Sequence, residues 1–230
     1  MCGRFNVISA PLTQFVMEIL GGDSPVPDLP TAYNIAPTEQ VQVVYTEADR
    51  RVLAAMRWWL VPHWAPEPSS KYSMFNAKSE TLATSRAFRD AFKSRRCIVP
   101  VSGYYEWRTE AGVKVPYYVE ADADNGLALA GLWDRWEKAE RVIYSCTIVT
   151  AEAPQSMQAL HRRMPVHLNR TEMTQWLDTE TAAESLAALL APTLRVPLKI
   201  TPVSTYVNNA RHKDSRCVEP MGLSERIALH

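Results

Sequence analysis

A cysteine stands at position 2 of the 230-residue chain, in the opening MCGRFN. Removal of Met1 would leave it with a free α-amine and a thiol on one carbon skeleton, and two chemistries follow. In one, the thiolate attacks an amide carbonyl while the amine serves as base, which requires the nucleophile to be residue 1 of the mature chain. In the other, the amine attacks an aldehyde, and the neighbouring thiol captures the imine to close a five-membered thiazolidine ring. A terminal amine with a pKa of about 7.7 to 8.0 is substantially neutral at physiological pH and competent for that attack. Cysteines near a tolerant terminus are commonly inert, so partners elsewhere must decide.

Either chemistry needs groups that move protons and hold substrate. Glu106, in SGYYEW, follows an apolar run and sits between Tyr105 and Trp107. A carboxylate among aromatic rings is partly desolvated, the setting in which it works as general acid or base; the plainer reading is a surface glutamate at a strand end. His161, in LHRRMPV, offers an imidazole that passes protons both ways, or is a surface histidine beside two arginines. Asn76, in MFNAKSE, offers an amide to a substrate oxygen, or is a turn or capping residue. Trp58, Trp59 and Trp64 crowd into MRWWLVPHWAP. At least one belongs in the core, while an indole exposed beside basic residues is a platform for unstacked bases.

The elements that must position these groups are legible in outline. SAPLTQFVMEILGG reads as a helix with Pro11 in its first turn, Leu12, Phe15, Val16, Ile19 and Leu20 on one face, and Gly21 and Gly22 ending it. Residues 23 to 31 read as a loop. VQVVYT and RVLAAMRWW form a hairpin, and SETLATSRAFRDAFKSR a helix with Ser79 as N-cap and Leu82, Phe88 and Phe92 packed inward. CIVPVSGYYEW, VPYYVEA, GLALAGLW and RVIYSCTIVT are strands, followed by helices at about 171 to 178 and 181 to 190 and a last strand near VPLKITPVS. Consecutive strands with few helices predict a mainly antiparallel α+β fold in one domain, 1 to 230.

Composition narrows the class. A hydrophobic content of 47% with 22% charged residues supports a sizeable core and excludes a disordered or fibrous chain. Neither a membrane span nor a signal peptide is readable, which predicts a cytoplasmic protein, or a nuclear one in a compartmented cell. Cys2, Cys97, Cys146 and Cys217 are scattered without metal-ligand spacing, which fits a reducing compartment and speaks against a structural zinc site. Net charge is zero, yet between 78 and 108 Lys78, Arg86, Arg89, Lys93, Arg95, Arg96 and Arg108 face only Glu80, Asp90 and Glu106. A basic face can therefore sit on a neutral protein.

MCGRF, YNIAPT, WWLVPHW, FNAKSET, RRCIVPVSGYYEW, LHRRMPV and VSTYVNN occur in an order that resembles the SOS-response-associated peptidase (SRAP) family over nearly the whole chain. The resemblance implies a barrel-like or two-sheet core of mainly antiparallel strands with flanking helices. It also implies that Cys2, exposed by self-removal of Met1, forms a covalent thiazolidine crosslink with the ring-opened abasic sugar in single-stranded DNA. That linkage shields the lesion from cleavage during replication or an SOS-type response. Asn76 would hold the sugar or the linkage, while Glu106 and His161 would manage protons. Asn34, Arg86, Lys78 and Arg163 match groove or phosphate positions, beside the tryptophans Trp58, Trp59 and Trp64. The partner implied is abasic single-stranded DNA, met by a monomer at the replication machinery and nucleoid, with no metal or organic cofactor; a strand-cleaving lyase activity is left open.

Two positions depart from the family pattern. Lys78 stands where arginine is common, exchanging a bidentate phosphate contact for a point charge, and Trp59 replaces a glycine beside the DNA wedge that the resemblance implies. Two other classes stay in view. A class II glutamine amidotransferase or related amidohydrolase would also use a mature terminal cysteine, although further glutamine-binding motifs are not found. A non-covalent single-stranded nucleic-acid module would need only the basic segment and the tryptophans.

Overall fold

A computed structural model describes residues 2–21, 24–69 and 71–229. Met1, Gly22 and Asp23, on which the terminal processing, the second helix-ending glycine and the loop start fall, lie outside them. In chain order the elements begin with β1 (Phe5–Val7), α1 (Ser9–Leu20), β2 (Ala32–Ile35), β3 (Gln40–Glu47), β4 (Arg50–Trp58) and β5 (Asn76–Lys78). Next come α2 (Arg89–Ser94), β6 (Arg96–Val101), β7 (Gly103–Glu110), β8 (Val113–Ala121), β9 (Leu127–Lys138) and β10 (Arg141–Glu152). The chain finishes with α3 (Gln155–Gln158), β11 (Arg163–Pro165), β12 (His167–Leu168), α4 (Arg170–Leu177), β13 (Leu198–Pro202) and β14 (Glu225–Ile227).

Five strands close a barrel in the order β4-β3-β6-β9-β10. Four of its pairings are antiparallel. A ring of five strands cannot alternate direction all the way round, so the fifth must be parallel, and β10 does pair parallel with β4. β5 continues that parallel seam along β10, with Asn76 opposite Ile148 and Lys78 opposite Thr150. Beyond the barrel, β14-β13-β8-β7-β1-β2 form a six-stranded antiparallel sheet. The expected α+β class with a barrel and a second sheet is what the chain adopts.

Local chemistry explains the turns. Ala48 and Asp49, Ala111 and Gly112, and Ala139 and Glu140 all have positive φ and join adjacent antiparallel strands, the two-residue geometry whose twist matches a hairpin. α1 buries Leu12, Phe15, Val16 and Ile19, and Gly21 ends it at φ 96° with its N–H on the Met17 carbonyl at 3.0 Å.

The single run CIVPVSGYYEW divides at Ser102: β6 belongs to the barrel and β7 to the sheet. Gly103 makes the crossing possible, since a Cβ there would lie 2.4 Å from the Tyr118 ring and 2.5 Å from the Val119 carbonyl. This crossing carries Tyr104 and Glu106 into position.

The expected helix over 79 to 95 is a correction. Ser79 to Thr81 form one 3₁₀ turn preceded by Lys78 with no side-chain cap, so Ser79 is not an N-cap, and an α-helix starts only at Arg89. Thr81 and Thr84 hydroxyls donate to the Lys78 and Thr81 carbonyls, the local competition that disfavours a helix interior. Leu82, Phe88 and Phe92 are nonetheless buried. The segment expected as a helix at 181 to 190 is a 3₁₀ helix over Ala183–Leu190; its buried Leu186 and Leu189, three apart, align at three residues per turn.

Gly103→Ala is expected to cost about 1–3 kcal/mol, because the collision includes backbone. Urea denaturation read by tryptophan fluorescence measures it, and wild-type stability would remove the crossing from its assigned role.

Candidate active site at the amino terminus

Cys2 immediately precedes β1, which lies between β2 and β7. The main chain there is pinned twice. The Asn76 Nδ2 donates to the Cys2 carbonyl at 2.9 Å, and the Tyr105 N–H donates to the Arg4 carbonyl at 2.9 Å. Phe5, paired with Tyr104 in register, packs on Trp58 with ring centroids 4.8 Å apart. Among the described residues the buried Asn76 Oδ1 has no hydrogen-bond partner, an acceptor left over beside Cys2.

β7 supplies the carboxylate. Strand alternation puts Tyr104 and Glu106 on one face and Tyr105 on the other, where it packs on Tyr118. Glu106 is 5% exposed, and its Oε1 accepts the Trp107 N–H at 3.1 Å. The Cys2 thiol is fully buried; desolvation pushes its pKa far up, the Glu106 charge pushes the same way, and the Arg4 N–H opposes them. The sulfur is therefore a neutral thiol at physiological pH. Burial likewise raises the Tyr104 phenol, reinforced by Cys2 and Glu106.

His161 arrives from the other side, after α3, whose Met157 carbonyl accepts its N–H at 3.2 Å. It lines one crevice with Tyr104, Glu106, Met157, Leu160 and Met164. The two expected proton carriers, 55 residues apart in sequence by subtraction of 106 from 161, thus meet at one place.

The remaining expected residues separate by environment. Trp58 is fully buried and donates its indole N–H to the Phe75 carbonyl at 2.9 Å. Its place among the DNA contacts is corrected, because a ring with no exposed face cannot stack on a base. Trp59 is half-buried, packed on Phe75 and tied to the Ser69 carbonyl. Trp64, 37% exposed, carries the Arg86 guanidinium 4.1 Å over its ring, and these two form a surface platform. Lys78 is exposed at the end of β5.

Asn34 is also reassigned by its burial. In the left-handed region at φ 56°, its Oδ1 accepts from Arg4 Nη1 at 2.8 Å. Its Nδ2 lies 3.0–3.1 Å from the Val207, Asn209 and His212 carbonyls. It ties the 207–212 segment to the terminus rather than facing a groove. Arg163 is held by Glu80 and Thr150. Sequence reading passed over Arg4, Glu80 and Tyr104; for Tyr104 the available signal was its two-residue offset from Glu106 on one strand face.

The described residues contain no group of three or more His, Cys, Asp or Glu placed to hold a metal ion. No helix among them is long and apolar enough to cross a membrane.

The barrel and sheet are shared with a crystal structure of a protein from Bacteroides thetaiotaomicron, at a TM-score of 0.81 and 22% identity over 95% of this chain and 99% of that one. The site adds a buried Cys2 whose carbonyl is held by the Asn76 amide and whose thiol feels the Glu106 charge, with Glu106 and His161 on one crevice. The SOS response associated peptidase (SRAP) family model matches residues 1–210, and the chain belongs to that family. It is 32% identical over 224 residues to the abasic site processing protein YoqW of Bacillus subtilis, covering 95% of this chain and 99% of the relative. It is 34% identical over 205 residues to the abasic site processing protein HMCES of Xenopus tropicalis, covering 78% of this chain and 61% of the relative.

Glu106→Gln removes one of the two upward pushes on the Cys2 thiol. The thiol should then ionise at lower pH, so alkylation of Cys2, mapped by mass spectrometry against pH, should be faster at each pH below the plateau. A slower or unchanged profile contradicts the coupling.

Proposed function

We propose that this protein captures abasic sites in single-stranded DNA as a covalent thiazolidine on Cys2, after its own removal of Met1, and so shields the lesion. The observation that supports this reading is Cys2 held through its carbonyl by Asn76, with its thiol under the charge of Glu106 and with His161 on the same crevice as Glu106. The relatives named as abasic site processing proteins support the substrate.

The chemistry closes with the groups present. For processing, the Cys2 sulfur attacks the Met1 carbonyl with its proton taken by Glu106; collapse of the adduct breaks the Met1–Cys2 C–N bond as that proton passes to the leaving nitrogen, freeing the amine, and water then hydrolyses the thioester, releasing methionine and restoring the thiol. In capture, that amine adds to the C1′ aldehyde of the open sugar. Loss of the carbinolamine hydroxyl as water needs an acid, for which His161 is suited. The thiol then adds across the imine, forming the S–C1′ bond while its proton passes to nitrogen. Asn76, whose carbonyl oxygen has no partner among the described residues, is suited to hold the amine or the sugar hydroxyl during these steps.

Binding before capture falls to Lys78 and to the Arg86–Trp64 platform. Phosphate contacts make affinity salt-dependent, and stacking leaves it tolerant of sequence.

The wild type incubated with a single-stranded oligonucleotide bearing one abasic site should yield a species that survives denaturing electrophoresis, and its intact mass should lack Met1. Cys2→Ala should yield none. Complete release of DNA from the wild type on denaturation would sink covalent capture, and Cys2-dependent release of ammonia from glutamine would move the protein to amide hydrolysis.

Lys78→Ala should leave the thermal midpoint unchanged and lower the slope of log affinity against log salt for undamaged single-stranded DNA by about one. An unchanged slope removes Lys78 from the phosphate contacts.

A further inference from the structure

Arg163, the first residue of β11, is the most fully engaged cation around the crevice. Its Nη1 and Nη2 donate to the Glu80 Oε1 and Oε2 at 2.9 and 3.0 Å, a two-pronged fork. On its inner edge Nη2 also donates to the Thr150 carbonyl at 2.6 Å, and Nε points to the Thr150 hydroxyl at 3.4 Å. Carboxylate on one side and β10 on the other hold the guanidinium in one plane, since its donors are fixed in a rigid fork. The Arg163 hydrogen bonds keep the Glu80 carboxyl below the usual carboxylate range, so it stays charged where an imidazole titrates.

The main chain of the same residue grips His161. The Arg163 N–H donates to the His161 Nδ1 at 3.0 Å, and the Arg163 carbonyl oxygen is also 3.0 Å from that nitrogen. An imidazolium donates Nδ1–H to the carbonyl, and the neutral ring left when Nε2 gives up its proton keeps the same Nδ1–H donation. Both protonation states therefore find a partner on one residue, and the ring can exchange a proton at Nε2 without swinging. Any shift of Arg163 displaces both partners together.

We infer that Glu80 is a positioning residue: its carboxylate locks the Arg163 fork and, through the Arg163 backbone, the His161 imidazole. The inference rests on the proton-transfer role of His161 in the proposed function. It assigns work to the acidic residue of FNAKSE, which the basic run around it obscures. The competing role for the same pair is that Glu80 occupies a seat that a DNA phosphate takes over, since a phosphate also fits a guanidinium fork.

The test uses the full chain and Glu80→Gln, a change at a half-exposed side chain that keeps its shape. Nitrogen-15 NMR of the His161 ring without DNA should show an altered tautomer balance. Covalent capture of an abasic oligonucleotide should slow by about ten- to a hundredfold, with unchanged affinity and salt slope for an undamaged oligonucleotide. Glu80→Asp, which retains the charge, should recover part of the rate. Wild-type ring resonances and capture rate in Glu80→Gln overturn the inference. Tighter DNA binding with a salt slope steeper by about one overturns it in favour of the phosphate seat. If the wild type itself captures no DNA, the proposed function fails, while the NMR comparison still judges Glu80.

Discussion

The parallel seam along β10 is the constraint from which the site follows. Five strands close a ring only with one parallel pair, and that pair joins β4 to β10. β5 extends the seam past the end of β4, so Asn76 emerges beside Ile148, where its amide reaches the Cys2 carbonyl. On its other edge β10 takes β11, with Glu152 opposite Arg163, which delivers His161 to the crevice. The seam thus supplies an amide from one neighbour and an imidazole from the other. Only the terminus and the carboxylate come from the second sheet, where β1 and β7 are paired.

Chemistry was more legible in the sequence than placement. Cys2, Glu106 and His161 could be singled out by type and local setting, and the structure gathers Glu106 and His161 at one crevice. The indole ranking was not legible: Trp58 and Trp59 are adjacent in a strand-like run and both meet Phe75, while Trp58 alone packs on Phe5 in the core. Arg4 and Asn34 act on carbonyls more than 170 residues away, and no local pattern carries such partners. Helical spacing misled at 79 to 95 because Phe88 and Phe92 do share a helix face while the threonines before them bond to their own backbone. β5, β11 and β12 escaped because their two or three residues show no alternation of their own.

Burial of Cys2 bears on the order of events in the proposed reaction. A thiol held neutral by desolvation and by the Glu106 charge attacks only where a base takes its proton beside an adjacent electrophile, as in the proposed removal of Met1, and is a poor first nucleophile toward an incoming sugar aldehyde. The amine freed by loss of Met1 has no such handicap in kind, since its neutral form is the reactive one. Amine attack before sulfur attack is therefore the order this environment favours: the imine forms first, and the sulfur needs activation only once an electrophilic carbon lies next to it. The same Glu106 that suppresses the thiolate beforehand is the base available to take its proton at that moment. Suppression and activation by one carboxylate are compatible, because proton transfer to Glu106 removes the charge that opposed ionisation. A buried thiol that stays protonated until its partner is bonded is also shielded from oxidation, which a permanently exposed terminal thiolate would not be.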